Sequence, residues 1–194
     1  MGDPALRTKL SPEEYLAFER AAEQKHEYAD GEIFAMSGGT FEHSAVAGNL
    51  IGELRNLLFE RACSVLTSDM RIHIPAKGRY VYPDASVVCE RPRFLDDQRD
   101  TLLNPQLIVE VLSDSTEGYD RGDKFDQYRT IPAFRVYVLA SQKAPHIEVF
   151  SRQPDDSWVL RVYGPGQRAA LPGLDISLEV DRVYRGALPE QAAG

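Results

Sequence analysis

The chain has almost no cysteine, no long apolar run and no excess of basic residues, and each shortage closes off a class of function. Cys63 and Cys89 are its two cysteines. They lie far apart and lack the paired spacing of zinc ligands, so both read as reduced core residues. No apolar stretch approaches the roughly 20 residues that span a bilayer. The opening Met1-Gly2-Asp3-Pro4-Ala5-Leu6 has no signal-peptide core, and Leu6 stands where a myristoylation signal wants Ser or Thr. The expected location is therefore the cytoplasm, with no membrane partner. Positive charge is short as well: 22 Lys and Arg against 30 Asp and Glu leave a net charge of -8. That balance argues against a protein that coats nucleic acid through a generally basic surface. A nucleic-acid enzyme would need a local patch instead. The candidates are Arg71, His73, Lys77 and Arg79 around one hairpin and Arg121, Lys124 and Arg129 on a later helix, scattered in sequence.

A chain of 194 residues, 43% hydrophobic and 27% charged, is long enough to bury a sizeable core and short for two ordinary domains. The expectation is a single domain over 1–194, with its core over about 8–185 and a frayed tail over 187–194. Ser11-Pro12-Glu13-Glu14 is a capping-box start for a helix reaching about Glu23. Lys25 to Met36 reads as two short strands joined by a tight turn at Asp30-Gly31. From Phe41 to about Ala62, Val46, Leu50, Leu54, Leu57 and Leu58 recur at helical spacing. Met70 to Ile74 alternates and turns through Ala76-Lys77-Gly78-Arg79 into Tyr80–Cys89, an expected antiparallel hairpin. Glu90 to Pro105 reads as a long exposed connection. A helix is expected from Thr116 to Thr130, then strands over Phe134–Ala140, His146–Phe150 and Trp158–Tyr163.

Two apolar runs each carry one acid. Asp84 follows Tyr82-Pro83, and Glu110 sits inside Leu107-Ile108-Val109-Glu110-Val111-Leu112, apolar on both alternating faces. A carboxylate in such a setting loses hydration at a cost of several kcal/mol unless a cation or hydrogen bonds replace the water. Two acids converging from neighbouring strands would suit a hard divalent cation, Mg2+ or Mn2+. The bland alternative has Asp84 capping a turn, Glu110 paired with a buried cation, and Lys124 in a surface pair with Asp120.

These residues also carry a family likeness. Pro83-Asp84 and Glu110 resemble the PD-(D/E)-x-K nuclease superfamily. Lys25-His26-Glu27-Tyr28-x-Asp30-Gly31-Glu32, Ser68-Asp69-Met70-Arg71, Tyr82-Pro83-Asp84, Leu107 to Ser113 and Tyr119-Asp120-Arg121-Gly122-x-Lys124, taken in order, resemble the Uma family of predicted restriction endonucleases. The resemblance implies an α/β (α+β) fold with a restriction endonuclease-like core: a central mixed β-sheet flanked by helices, with additional N-terminal and C-terminal β-hairpins. It implies catalysis by Asp84, Glu110, Lys124 and Glu27, with Asp84 and Glu110 holding the metal. One departure bears on activity. The superfamily's lysine usually stands two residues after the second acid, where this chain has Leu112; either Lys124 on the following helix takes its place or the site lacks its ammonium.

Two functions follow. One is a metal-dependent endonuclease acting on nucleic acid, DNA by expectation, with a homodimer as the commonest symmetric assembly open to it. The other is a catalytically inactive nuclease fold serving as a nucleic-acid-binding or oligomerisation scaffold. Of the histidines, His26 and His43 could face the cleft, although a histidine on a polar face is more often solvated. Tyr119, Tyr128 and Trp158 could stack on bases, with packing the commoner role.

Overall fold

The structure, a computed structural model, describes residues 9–189. The opening hexapeptide and the last residues of the expected tail lie outside them. Helix α1, Pro12–Ala21, has the expected capping box: Glu14 N–H donates to Ser11 Oγ, and Ser11 N–H donates to the Glu14 carboxylate. It ends two residues before the expected Glu23. Strands β1, His26–Ala29, and β2, Glu32–Ala35, form the expected hairpin, and Asp30 and Gly31 both take positive φ at 54° and 91°. That is the turn whose twist matches the strands it joins. Helix α2, Phe41–Leu57, is capped by Thr40 and buries Val46, Leu50 and Leu54.

The next strands are β3, Ser64–Thr67; β4, Arg71–Ile74; β5, Arg79–Val81; and β6, Ala85–Val88. Here the expected hairpin needs correction. Ile72 pairs with Val81 as foreseen, but the Tyr80–Cys89 run is two strands in two different sheets. Tyr82-Pro83-Asp84 is the crossing point, where proline offers no N–H to a ladder. After it, β6 pairs with β3 and with β8, Leu107–Leu112. The long connection also corrects: it holds a two-residue strand, β7, Thr101–Leu102, parallel to β4, and Thr101, Leu102 and Asn104 are buried.

Beyond β8 come α3, Glu117–Tyr119; a π-helical turn, Asp120–Lys124; and α4, Phe125–Tyr128. The single helix expected over Thr116–Thr130 therefore contains a widened turn. Strands β9, Val136–Ser141, β10, Ile147–Arg152, and β11, Trp158–Tyr163, complete a six-stranded mixed sheet in the order β11-β10-β9-β8-β6-β3. The five-stranded sheet runs β2-β1-β5-β4-β7. A closing hairpin of β12, Arg168–Leu171, and β13, Ile176–Glu179, leads into α5, Val180–Val183.

One face of the six-stranded sheet packs on α2, the closing hairpin and α5, with Leu50, Leu54, Val109, Val138 and Leu178 at the centre. The other packs on α4 and the five-stranded sheet through Ile72, Leu112, Tyr128 and Phe134. A third cluster, Tyr15, Tyr28, Ile33 and Tyr80, fixes α1 to the first hairpin. All six residues of β8 are buried, as expected of a central strand. Two further corrections concern the ends of elements. Cys63 and Cys89, read as reduced, are joined in a disulfide between the ends of β3 and β6. Ala187, placed in the frayed tail, is fully buried, and Leu188 packs beside it.

Candidate active site

The crossing between the two sheets opens a cavity of about 760 Å³ lined by residues of β1, β2, β5, the end of β8 and the segment running into the π-helical turn. Asp84 stands at the crossing itself. Its Oδ2 accepts the Val111 N–H at 2.7 Å, which ties the start of β6 to β8, and lies 3.4 Å from Nε2 of His43. Glu110 projects from the middle of β8, and its Oε1 accepts the Tyr128 hydroxyl at 2.9 Å and lies 2.8 Å from Nζ of Lys124. Glu27 comes from β1. Its Oε1 accepts the Tyr82 N–H at 3.3 Å and stands 3.4 Å from the same ammonium. Asp84, Glu110, Glu27 and Lys124 thus come from four separate elements and all line this cavity.

Lys124 reaches the carboxylates from the π-helical turn, and Asp120 at its start lies 3.6 Å from the ammonium. Widened turns of this kind are rare and concentrate at functional sites. The Asp120 carbonyl accepts the Tyr137 hydroxyl at 3.0 Å, so a backbone acceptor in the loosened turn is satisfied from β9. Lys124 is 7% exposed. Burial alone would lower its proton affinity, but the carboxylates of Glu110, Glu27 and Asp120 override it and hold the ammonium charged well above the usual lysine range. Burial raises the proton affinities of the Glu110 and Asp120 carboxylates, with Asp84 adding to both and Lys124 opposing. Leu112, at the superfamily's usual lysine position, is packed in the core. The ammonium reaches Glu110 from the helix instead.

The surface pair foreseen for Lys124 and Asp120 exists but is buried. Two participants were undervalued in the sequence. His43, weighed as a solvated histidine, lines the cavity, and the Asp84 carboxylate raises its proton affinity against the effect of burial. Its one local signal is Gly39: a Cβ there would lie 2.7 Å from His43 Nδ1, so the imidazole occupies space only glycine leaves. Tyr128, expected to pack, does so and also orients Glu110. His26 is turned away from the cavity, its Nδ1 3.0 Å from Glu19 Oε2. Asp69 lies in the turn after β3, paired with Lys25.

Of the seven candidate basic-patch residues, Arg79 and Lys124 line the cavity, and most of the others are engaged elsewhere. Arg71 is buried against Thr101, Tyr82 and Asp100, His73 stacks on Tyr80, Arg121 is bound by Glu117 and Glu148, and Arg129 pairs with Asp126. Among the described residues, no group of three or more His, Cys, Asp or Glu side chains stands ready as a metal cage. Nor is any helix among them long and apolar enough to cross a membrane.

The family model described as "Putative restriction endonuclease", Uma2, matches residues 12–181. This chain belongs to the Uma2 family. Two curated relatives from Synechocystis, both described as uncharacterized, are 41% identical over 180 residues and 37% identical over 151 residues. The first match covers 92% of this chain and 93% of the relative, the second 78% and 85%. Among solved structures, a protein from Anabaena variabilis described as "a putative nuclease belonging to DUF820" superposes with a TM-score of 0.73 at 15% identity, covering 92% of this chain and 99% of that one. At that identity the likeness concerns the fold, and it agrees with the mixed sheet flanked by helices described above. The Uma2 assignment agrees with the family that the motifs resembled.

Proposed function

We propose that this Uma2-family protein is a metal-dependent endonuclease hydrolysing nucleic-acid phosphodiester bonds, with DNA as the expected polymer. The observation that carries the reading is the Lys124 ammonium held 2.8 Å from Glu110 beside Asp84 in one cavity, even though the usual lysine position is Leu112. A purely structural ion pair would need neither an open cavity beside it nor a second acid from a different strand.

The donor set fits a hard cation. Oδ1 of Asp84 and Oε2 of Glu110 are not used by the bonds that orient these side chains. Mg2+ commonly takes one or two protein carboxylates and completes its shell with water and substrate phosphate oxygens. Asp84 and Glu110 would hold Mg2+ or Mn2+, which when bound polarises the phosphate and favours ionisation of water. The chain's own contributions are positional and electrostatic. Val111 N–H and His43 fix the Asp84 carboxylate, Tyr128 fixes Glu110, and Lys124 supplies a buried positive charge for the charge that develops on phosphate oxygens. Glu27 and Asp120 hold that ammonium in place.

The test is manganese titration by calorimetry together with a cleavage screen over DNA and RNA. Wild type should bind Mn2+ and cut at least one polymer only when metal is present. Asp84→Ala should lose the binding heat, and Lys124→Met should retain binding while losing cleavage. Equal heats for wild type and Asp84→Ala, or no cleavage of any polymer, would favour the inactive scaffold.

A further inference from the structure

The cavity carries more than its polar end. Phe34 is the direct cross-strand partner of Glu27 in the first hairpin, so the two side chains share a face, and both line the cavity. Its neighbour Ile33 points the other way, into the cluster around Tyr15. Phe34 is only half-buried and belongs to none of the three apolar clusters of the described residues, and the same holds for Met36, farther along the same wall. An aromatic side chain that the core does not use, set beside a carboxylate that touches Lys124, has a face available to a ligand.

The charge around it defines that ligand. Seven carboxylates line the cavity against two permanent cations, Arg79 and Lys124. Lys124 is already engaged by carboxylates, and Arg79 pairs with Asp30 and donates to the Tyr119 hydroxyl. Duplex binders draw affinity from many cationic contacts to phosphates, and this wall offers few. Unpaired strands also use cationic contacts, but their bases can in addition stack on aromatic rings for about 1–3 kcal/mol each, a contribution that bases stacked inside a duplex do not offer. A volume of about 760 Å³ lies within the span of pockets for small ligands, about 300–1,000 Å³, which suits a nucleotide turned into the protein.

We infer that the Phe34 wall receives an unpaired nucleobase beside the scissile phosphate, so that the enzyme acts on single-stranded or locally unpaired nucleic acid in preference to continuous duplex. The inference rests on the nuclease reading and names its substrate class. Met36 lines the same cavity, as does Tyr119, whose ring centre lies 6.0 Å from Lys124 Nζ.

The experiment uses the full chain and short oligonucleotides carrying 2-aminopurine, single-stranded or annealed, in DNA and RNA versions. Binding is read with Ca2+ and cleavage with Mg2+ or Mn2+. Wild type should bind and cut the single strand better than the duplex, with quenching of the 2-aminopurine, and the DNA and RNA arms identify the polymer. Phe34→Leu, which keeps an apolar side chain without a ring, should weaken single-strand binding by about 5- to 150-fold. Phe34→Trp should restore it, and replacing the quenched base by an abasic site should reproduce the loss on wild type. Equal affinity for strand and duplex, or Phe34→Leu binding like wild type, would overturn the inference while leaving nuclease activity standing. Absence of cleavage of every substrate with either metal would overturn the nuclease reading and this inference with it.

Discussion

Replacing Lys124 by methionine keeps most of the apolar stem and deletes one charge, which makes it the sharpest probe of the site. The ammonium lies 2.8, 3.4 and 3.6 Å from Glu110, Glu27 and Asp120. Its removal leaves largely buried like charges without their counter-ion, and breaking such a buried arrangement costs about 3–5 kcal/mol. For a chain of this size each kcal/mol is worth about 2–4 °C in Tm, so the expected loss is about 6–20 °C near neutral pH. The pH dependence has a definite sign. The folded-state affinity of Lys124 for its proton is raised, so its stabilisation is present below the ordinary lysine value of about 10.4 and is lost only as pH rises through the higher folded value. In the variant, Glu110 and Asp120 bind protons more readily folded than unfolded, so its deficit should shrink as the medium is made mildly acidic. Trp158, the chain's single tryptophan, packs on Phe125 and Phe134 close to the π-helical turn and reports unfolding by fluorescence in urea. Saturating Mn2+, at about 100 times its dissociation constant, should return about 2.7 kcal/mol to the variant if the acids can take a cation. A variant as stable as wild type at neutral pH, with no pH dependence of the difference, would refute the placement of this charge.

Other expectations are equally concrete. Tyr128→Phe should cost about 1–3 kcal/mol in urea unfolding, because Glu110 loses a buried donor. Asp100 is held well below the ordinary carboxylate range by its hydrogen bonds to Arg20, with Thr101 and Arg71 adding to the effect, so its stabilisation is present above about pH 3.9 and fades as pH falls toward its lower folded value. Asp100→Asn should therefore be destabilising at neutral pH and converge on wild type in strong acid, measured by thermal melts across pH. Gly39→Ala should displace the His43 ring and slow cleavage by up to about 100-fold with little change in Tm. Reducing the Cys63–Cys89 bridge, which joins residues 26 apart in sequence, should lower stability by up to about 3.5 kcal/mol, read by melts with and without reductant.

Local chemistry made much of this legible before the fold was known. The capping box at Ser11, the Asp30-Gly31 turn and the wholly apolar β8 around Glu110 each declare themselves within a few residues, and the structure has all three. Long-range decisions were harder to read. Tyr80–Cys89 looks continuous because its β-propensity is unbroken, yet Pro83 marks the point where the chain leaves one sheet for the other. Asp120 and Lys124 have ordinary helical spacing, so nothing local indicated that the turn would be π-helical and buried. His43 sits near the start of an amphipathic helix, on the side that solvent usually claims. Its neighbour Asp84 is 41 positions away and meets it only through the crossing. The cysteines carry no spacing signal, since only the pairing of β3 with β6 brings them together.

The most direct test of the central claim is single-turnover cleavage of a labelled oligonucleotide by wild type and by Glu110→Gln, each with Mg2+ and again with the metal chelated. The account predicts product from wild type in metal alone and a loss of at least about 100-fold in Glu110→Gln, with both proteins still folded by Trp158 fluorescence. Cleavage that survives chelation, or that Glu110→Gln performs at the wild-type rate, would contradict it.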